Sequence, residues 1–415
     1  MSDRELLVYV DLAGAAQLVG RLWARRVRNR ESASFEYDAQ WLANSARFAL
    51  EPALVLGGGP QHTPQGRSLF GAFGDSAPDR WGRNLIQRDE RRRAQTEGRA
   101  PHSLGEVDYL LGVSDIARQG ALRFKEDPDG PFLASGEGTK VPPLIRLGEL
   151  LNAAMRVTAD GDDDNDLRLL LAPGSSLGGA RAKASVLDLN GQLSIAKFPQ
   201  NDDAYPVMQW EAVALDLARR AGINVPTWRL EHVADRTALL LRRFDREGGI
   251  RIPYLSAMSM LGASDNEDHS YLEIIDAIRQ YGSEPEQDCE QLWRRIVFNI
   301  LISNTDDHLR NHGFLYDAAG GGWRLSPAFD MNPTPTDVRA RVLSLAIDEA
   351  DDTASLEVAR GMARQCGLKP PAANEIVAQV QTAVAEWRVV AATHGLHARD
   401  VARMASAFEH DGTAA

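Results

Sequence analysis

Cysteine is scarce in this chain: Cys289 and Cys366 are the two cysteines among 415 residues. Two cysteines cannot make a disulfide framework or a cysteine zinc site, and free cysteines are usually small buried residues. Long apolar runs are also missing, since no stretch approaches the ~20 apolar residues of a membrane-spanning helix. The amino end carries Asp3 and Glu5 where a signal peptide has lysines. The sequence therefore predicts a cytoplasmic protein without membrane spans.

Positive charge is in short supply as well. The chain has 46 lysines and arginines against 58 acidic residues, for a net charge of -12. Such a surface repels the phosphate backbone of nucleic acids, so direct nucleic-acid binding is disfavoured. Arginines over residues 80–99 could form a local basic patch, although a solvated helix face is the simpler interpretation. The acidic run over residues 160–166 is most simply a solvated loop.

The length allows two or three substructures with their own cores. Three short apolar segments before residue 38 predict a small sheet at the amino end. Proline and glycine crowd residues 127–143, which predicts a boundary there. From residue 256 onward the pattern is mainly helical. The predicted domains are an amino-terminal subdomain over 1–130, a nucleotide-binding lobe over 144–245 and a helical catalytic lobe over 246–415.

The segment from residue 293 to Asp330 carries the strongest functional signal. An apolar helix face over 293–301 leads into a polar loop over 303–312, and a glycine-rich hairpin follows. Asp306 and Asn311 have the D-x-x-x-x-N spacing of kinase catalytic loops, in which the aspartate receives the acceptor proton and the asparagine holds magnesium. A downstream aspartate, here Asp330, holds the metal that bridges the phosphates. These residue types also cluster in ordinary surface turns, so the spacing alone is weak evidence.

The middle of the chain supplies a candidate nucleotide site. Residues 172–183 are rich in glycine and end in a lysine, which suits the approach of backbone amides to phosphates but also an ordinary glycine loop. A predicted hairpin over an Asn-Gly turn ends in Lys197, and the next helix carries Glu211 in its first turn. A strand lysine paired with a helix glutamate positions phosphates in protein kinases. A later apolar strand ends at Arg243 and Phe244, where a two-lobed kinase offers backbone groups to adenine.

With these pieces in order, the chain resembles the HipA family of bacterial serine/threonine kinases, the toxin half of a toxin and antitoxin pair. The resemblance covers nearly all of the chain and rests on six motifs. They are L-F-G-A-F-G-D-S-A-P-D-R-W-G-R at 69–83, S-L-G-G-A-R-A-K at 176–183, I-A-K-F-P at 195–199, R-R-F-D-R at 242–246, N-T-D-D-H-L-R-N at 304–311 and S-P-A-F-D at 326–330. The resemblance implies an α+β, two-lobed protein-kinase-like fold with an extra small amino-terminal sheet subdomain and a mainly helical carboxyl-terminal lobe.

The resemblance also implies roles for single residues. Asp306 is the expected catalytic aspartate, while Asn311 and Asp330 are expected to bind Mg²⁺. Ser176 aligns with a serine that family members phosphorylate on themselves to silence activity, and the adjacent Ser175 could receive the phosphate in its place. The residues expected around ATP are Gly178, Gly179, Ala180, Arg181, Ala182, Lys183, Lys197, Glu211, Arg243, Phe244, His308, Asn311 and Asp330.

The implied function is that of an ATP- and Mg²⁺-dependent protein serine/threonine kinase. By the resemblance, its substrate is a protein of translation, an aminoacyl-tRNA synthetase being the expected kind. The expected partner is a small helix-turn-helix antitoxin, which would hold the operator DNA while this acidic chain does not.

Two other functions stay open. The stretch D-D-H-L-R-N also fits D-x-H-x-x-N, the pattern of aminoglycoside and choline kinases, which phosphorylate small molecules. Those enzymes need no separate sheet domain ahead of the nucleotide loop. The other hypothesis is a catalytically silent protein that binds an antitoxin. It is disfavoured because such a protein has no reason to keep Lys197, Asp306, Asn311 and Asp330.

Overall fold

The structure is a computed structural model that describes residues 4–27, 30–135, 141–171, 179, 181–265, 267–349 and 351–410. The chain divides into two compact units. The first comprises residues 1–201 and 240–255, and the second comprises residues 202–239 and 256–415. The three-part division expected from the sequence stays a prediction.

An antiparallel sheet opens the first unit. Its strands lie in the order β4-β3-β2-β1-β5. A Cβ atom at Gly20 would lie 2.2 Å from the carbonyl oxygen of Glu36, so only glycine fits where these two neighbouring strands approach each other. The small amino-terminal sheet expected from the sequence is therefore present, with five strands. They are β1 (Arg4–Leu12), β2 (Ala15–Val27), β3 (Arg30–Tyr37), β4 (Gln61–His62) and β5 (Leu122–Lys125).

The described part of the first unit includes six helices, and α3 is the longest of them. They are α1 (Ala39–Ala43), α2 (Gly71–Asp75), α3 (Arg80–Thr96), α4 (Glu106–Gly112), α5 (Leu147–Thr158) and α6 (Asp164–Leu171). The helix α3 begins after Asp79, whose carboxylate accepts a hydrogen bond from the N–H of Gly82 at 2.8 Å. Aspartate at this position satisfies a backbone donor that has no partner within the helix.

Two arginines of α3 are paired with the acidic segment around residues 160–166. Arg88 and Arg92 each form an ion pair with Asp162 at 2.7 Å, and the Asp162 side chain is 2% exposed. Arg92 also contacts Asp164 at 3.1 Å. These members of the expected basic and acidic surfaces therefore neutralise each other. Composition could not indicate this pairing, because residues about 70 positions apart meet only in the folded chain.

Glu51 is a buried carboxyl group beside α2. Its carboxylate accepts a hydrogen bond from the N–H of Ala72. Burial raises the pKa of Glu51 from 4.5 to about 7, opposed by that hydrogen bond and reinforced by Asp75. The folded chain therefore keeps this proton to a higher pH than the unfolded chain does. Consequently the contribution of Glu51 to the free energy of unfolding is greatest below pH 4.5 and falls as the pH rises towards 7.

We expect ionisation of Glu51 to lower the free energy of unfolding by about 3 kcal/mol between pH 4.5 and pH 7. In the Glu51→Gln variant this part of the pH dependence should disappear, because the amide has no proton to lose. Chemical denaturation of the full chain at a series of pH values measures the slope. The exposed Glu126→Gln variant is the control and should keep the wild-type slope. The prediction is wrong if the Glu51→Gln variant and the wild-type chain follow one curve.

A second hairpin in the first unit carries the candidate nucleotide residues. β6 (Lys183–Leu187) pairs antiparallel with β7 (Leu193–Lys197), which sets Lys183 opposite Lys197. Gly191 in the turn has a φ of +72°, the left-handed conformation that favours glycine. The hairpin predicted from the Asn-Gly pair is therefore confirmed.

Five further strands lie between residues 228 and 256. They are β8 (Trp228–Val233), β9 (Arg236–Arg242), β10 (Arg246–Glu247), β11 (Ile250–Arg251) and β12 (Tyr254–Ser256). Asp245, which follows β9, is buried and accepts hydrogen bonds from Arg243 at 2.6 Å and from the N–H of Gly120 at 2.7 Å. Burial by itself raises the pKa of Asp245, but Arg243 and Arg246 outweigh it and hold the pKa below its usual value. This group fixes residues 243–246 within the first unit.

The second unit is mainly helical, as the sequence predicts. Three aromatic rings join its helices: Trp387 stacks on Phe408 with ring centroids 4.7 Å apart, and Trp210 lies 6.1 Å from Trp387. The helices are α7 (Val207–Arg220), α8 (Ala257–Met260), α9 (Tyr271–Tyr281), α10 (Pro285–Leu301), α11 (Leu356–Met362), α12 (Pro370–Ala385), α13 (Trp387–Thr393) and α14 (Ala398–Phe408). Short 3₁₀ helices at Leu144–Arg146, Leu309–Asn311 and Ala363–Cys366 complete the helical elements.

Both cysteines are free and buried in the second unit. Burial raises the pKa of Cys289 to about 11 and that of Cys366 to about 12. The two thiols are therefore small packing groups, as predicted. Among the helices that the structure describes, none is long and apolar enough to cross a membrane.

Candidate active site

Helix α10 leads directly into the loop that carries the candidate site. Pro285 stands at its first turn with Glu286 and Asp288, which favours a helix start. The Asp288 carboxylate accepts hydrogen bonds from the N–H of Leu325 and from Arg324, both at 3.0 Å. The start of α10 is thereby fixed to a hairpin of β13 (Gly313–Asp317) and β14 (Gly322–Leu325). This is the hairpin predicted between the polar loop and Asp330.

The polar loop leaves α10 through a strained turn. Ser303 has a φ of +52°, which side-chain-bearing residues rarely adopt. Its hydroxyl donates to the carbonyl of Ala407 at 2.8 Å and accepts from Arg341 at 3.1 Å. The N–H of Asn304 donates back to the carbonyl of Asn299 at 2.9 Å. These bonds hold the loop at the end of α10 and determine where the following residues point.

Asp306 presents its carboxylate to solvent. The side chain is 71% exposed, and its Oδ1 atom forms an ion pair with Arg339 at 2.8 Å. Asn311 is buried in the 3₁₀ turn and donates from Nδ2 to the backbone carbonyl of Asp306 at 3.2 Å. The two ends of the D-x-x-x-x-N segment are thus joined by a hydrogen bond, which orients the Asn311 amide.

Asp330 is joined to the same loop through asparagines. Asn332 donates from Nδ2 to Asp330 Oδ1 at 3.1 Å, and its backbone N–H donates to Asn304 Oδ1 at 3.3 Å. Asn304 in turn donates to Asn299 Oδ1 on α10 at 3.1 Å. Asp330 has a φ of +59°, a conformation that costs about 1–3 kcal/mol in a residue other than glycine and that clusters at functional sites. The fold therefore loses some stability to hold this carboxylate in place.

Sequence reasoning missed these asparagines. Asn304 opens the motif N-T-D-D-H-L-R-N, and Asn332 stands two residues after Asp330. Their position beside expected metal ligands is a signal that could have identified them, since ligating side chains are usually held by hydrogen-bonding neighbours.

The two adjacent aspartates have opposite environments. Asp307 is fully buried, and its Oδ2 atom accepts hydrogen bonds from Tyr271, from Asn299 at 2.9 Å and from His312 at 2.8 Å. Burial by itself raises the pKa of Asp307, but His312 and these hydrogen bonds hold it below the usual value. Asp307 is therefore a structural anion, whereas the neighbouring Asp306 is accessible to a substrate.

His308 follows Asp307 in the polar loop. Its side chain is half-buried, and within the described part of the chain its Nδ1 atom has no hydrogen-bond partner. Glu211, on α7, is buried at 1% exposure. Both belong to the second unit with Asp306, Asn311 and Asp330.

The remaining predicted nucleotide residues belong to the first unit. Lys197 ends β7 and is partly buried. Arg243 donates its backbone N–H to the carbonyl of Leu193 at 3.0 Å, and the ring of Phe244 lies 6.3 Å from that of Tyr254. Because Lys197 and Glu211 belong to different units, the ion pair between them stays a prediction.

The glycine-rich segment is described only in part. Gly179 is exposed, Arg181 is partly buried and Ala182 is buried. Lys183 is buried, and its ammonium group pairs with Asp79 at 2.7 Å, with both side chains 3% exposed. Four predicted residues lie outside the described residues: Ser175, Ser176, Gly178 and Ala180.

The donor atoms of the second unit suit magnesium. In the parts of the chain that the structure describes, no three His, Cys, Asp or Glu side chains come together as a metal site. Mg²⁺ is usually held by one or two carboxylates together with substrate phosphates and water, so it needs no such cluster. The amide oxygen of Asn311 and the carboxylate of Asp330 are hard donors of the kind Mg²⁺ prefers.

Two family models match the chain. The model of the HipA N-terminal domain matches residues 10–102, and the model of the HipA-like C-terminal domain matches residues 175–387. The second match alone covers more than half of the chain.

Individual relatives are distant. A protein of Sinorhizobium fredii named "Putative kinase Y4mE" is 24% identical over 349 residues, 76% of each chain. The serine/threonine-protein kinase CtkA of Helicobacter pylori is 24% identical over 192 residues, 43% of this chain and 58% of that protein. A solved chain of the Shewanella oneidensis MR-1 complex of HipA, HipB and operator DNA matches with a TM-score of 0.63 and 16% identity, over 97% of this chain and 94% of that one. The α+β, kinase-like fold expected from the sequence is therefore confirmed, and the chain belongs to the HipA family, whose members are kinases of the protein-kinase type.

Proposed function

We propose that this protein is an ATP- and Mg²⁺-dependent serine/threonine kinase that phosphorylates a protein substrate and its own Ser176 or Ser175. The observation that carries the proposal is the exposed Asp306 carboxylate on a rigid loop, tied to the amide of Asn311 at 3.2 Å. A general base must reach the acceptor hydroxyl, and an accessible carboxylate on a fixed backbone meets that need.

Each proposed site residue has its own role in phosphoryl transfer. When bound, ATP supplies the γ-phosphoryl group and Mg²⁺ neutralises the charge on its oxygens. Asn311 and Asp330 would hold the metal, and Asp306 orients the acceptor hydroxyl and takes its proton. Lys197 of the first unit and Glu211 of the second unit are the residues proposed to position the phosphates. The remaining nucleotide contacts are proposed for Gly178, Gly179, Ala180, Arg181, Ala182, Arg243, Phe244 and His308, whereas the ammonium group of Lys183 is already paired with Asp79.

A protein acceptor is favoured over a small molecule. The five-stranded amino-terminal sheet and the match to the HipA N-terminal domain lie outside the nucleotide and catalytic segments. A phosphotransferase of the aminoglycoside or choline kinase type has no use for such a domain. The serine/threonine-protein kinase among the relatives supports the same choice of acceptor.

The proposed partner is a small helix-turn-helix antitoxin similar to HipB. The matching solved structure is a complex of HipA with HipB and operator DNA. The net charge of -12 on this chain agrees with nucleic acid being bound by the antitoxin and not by the kinase. The proposed substrate is a protein of translation, of the aminoacyl-tRNA synthetase class.

Self-phosphorylation is the proposed off switch. A phosphate on Ser176 adds about -1.5 to -2 charges. It would compete for the donors that hold the ATP phosphates, so the modified chain should bind nucleotide more weakly.

The proposal is tested by incubating the full chain with Mg²⁺ and ATP alone and mapping the phosphate by mass spectrometry. We expect one phosphate, on Ser176 or Ser175, and no gain when EDTA removes the metal. A Ser175→Ala/Ser176→Ala chain should gain none and serves as the control for site assignment. Adding cell extract and labelled ATP then identifies the protein substrate.

Other outcomes select the other functions. Transfer of phosphate to aminoglycosides or choline, without a phosphorylated protein, would make the chain a small-molecule kinase. Calorimetry that shows no Mg²⁺-dependent ATP binding would make it a silent antitoxin-binding protein.

A further inference from the structure

The guanidinium of Arg339 bridges two groups of the candidate site. Its Nη1 atom contacts Asp306 Oδ1 at 2.8 Å, and its Nη2 atom donates to the hydroxyl of Ser344 at 3.1 Å. The planar fork of arginine can hold two partners at once in a defined geometry. All three residues belong to the second unit.

Ser344 connects this bridge to the backbone next to Asp306. The backbone N–H of Ser344 donates to the carbonyl of Thr305 at 3.1 Å, and the Ser344 hydroxyl donates to the same oxygen at 3.1 Å. A hydroxyl can accept from Arg339 and donate to Thr305 at the same time. The Asp306 side chain is thereby tied, through Arg339 and Ser344, to the carbonyl of the residue before it.

This bridge contributes little to the stability of the fold. The Arg339 side chain is 43% exposed and that of Asp306 is 71% exposed. Ion pairs between such exposed groups are typically worth no more than about 1 kcal/mol. The neighbouring Arg341 differs, because it donates to the backbone carbonyls of Ile300 and Ala354 and to Ser303. An effect of Arg339 is therefore expected on the carboxylate it holds and not on folding.

We infer that Arg339 is a positioning residue for Asp306, an inference that rests on the function proposed above. The guanidinium holds Oδ1, so Oδ2 is the carboxylate oxygen left for the acceptor hydroxyl. An exposed aspartate without this contact would rotate among several conformations, and only some of them present an oxygen in line with the acceptor. Arg339 thus raises the fraction of time in which the base is correctly placed.

The test compares three variants of the full chain by the rate of self-phosphorylation with radiolabelled ATP and Mg²⁺. Arg339→Ala should lower the maximal single-turnover rate constant, here called kcat, about 10- to 100-fold, because a small misplacement of a catalytic group costs up to this much. The ATP concentration that gives half of the maximal rate, here called KM, should be unchanged. Arg339→Lys should recover part of the rate, since an ammonium group can pair with Asp306 but cannot fork to Ser344. Ser344→Ala should give an intermediate loss of kcat.

Arg388→Ala is the matched control. Arg388 is 50% exposed and pairs with Glu409 at 2.7 Å in the same unit. It should keep the wild-type kcat, and all of these variants should unfold at the wild-type denaturant concentration.

The outcomes separate this inference from the proposed function. If the wild type is active and Arg339→Ala is as active as Arg388→Ala, Arg339 does not position the base. A faster Arg339→Ala chain would mean that the arginine blocks the base, which also overturns the inference. If the wild type transfers no phosphate from ATP to itself or to any protein, the proposed function fails and this inference fails with it.

Discussion

Asp306→Asn is expected to lower the rate of phosphoryl transfer about 10²- to 10⁴-fold. The substitution keeps the shape of the side chain but removes the group that takes the acceptor proton. Because Asp306 is 71% exposed, the chain should fold as before. Transfer of label from ATP measures the rate, and Mg²⁺-dependent ATP binding should persist because Asn311 and Asp330 are unchanged.

Asp265 provides a closely matched control. It is 67% exposed and pairs with Arg310 at 2.9 Å, much as Asp306 pairs with Arg339. Asp265→Asn should keep the wild-type rate. If Asp306→Asn retains more than roughly a tenth of the wild-type rate, Asp306 is not the proton acceptor.

The second large effect concerns the buried ion pair between Asp79 and Lys183. Its atoms are 2.7 Å apart and both side chains are 3% exposed. Removing one member of such a pair leaves an uncompensated buried charge, which costs about 3–5 kcal/mol. The Trp81 ring N–H donates to the carbonyl of Lys183 at 3.0 Å, so the start of α3 holds both the backbone and the side chain of this lysine.

We expect Asp79→Asn to destabilise the first unit by about 3–5 kcal/mol. Asparagine keeps the cap on α3, so the variant isolates the loss of charge from the loss of the cap. Lys183→Met should cost a similar amount, while the double variant should cost less than the sum, because no buried charge is left unpaired. Chemical denaturation of the full chain measures each value.

Arg93→Met serves as the control for this series. Arg93 also lies on α3, but it is 59% exposed and pairs with Asp89 at the surface. Its loss should change the free energy of unfolding by less than about 0.5 kcal/mol. If the single variants at Asp79 and Lys183 behave like this control, or if their costs simply add, the pair does not stabilise the first unit as the geometry implies.

Local patterns in the sequence were sufficient for part of the candidate site. Asp306 and Asn311 are five residues apart, and a single 3₁₀ turn brings the amide of one to the carbonyl of the other. The Asn-Gly hairpin before Lys197 and the cap at Asp79 are likewise determined by neighbouring residues. Such features can be predicted because their geometry depends on a few consecutive dihedral angles.

Other features depend on contacts that no local pattern encodes. Asp306 and Asp307 are the same residue type at adjacent positions. Even so, the Asp306 side chain is exposed, whereas that of Asp307 accepts three hydrogen bonds in the core. Lys183 belongs to a motif that predicts a contact with ATP, yet its ammonium group pairs with an aspartate 104 residues away.

The sequence by itself carried the motifs that resemble the HipA family, the kinase-like fold which that resemblance implies, and the spacing of the expected catalytic and metal-binding residues. Only the tertiary structure decided that Arg339 holds Asp306, that Asp79 neutralises Lys183 and that Asp162 neutralises Arg88 and Arg92. The physical reason is that an ion pair is selected by proximity in the folded chain. With 46 basic and 58 acidic residues available, the sequence alone does not indicate which of them will meet.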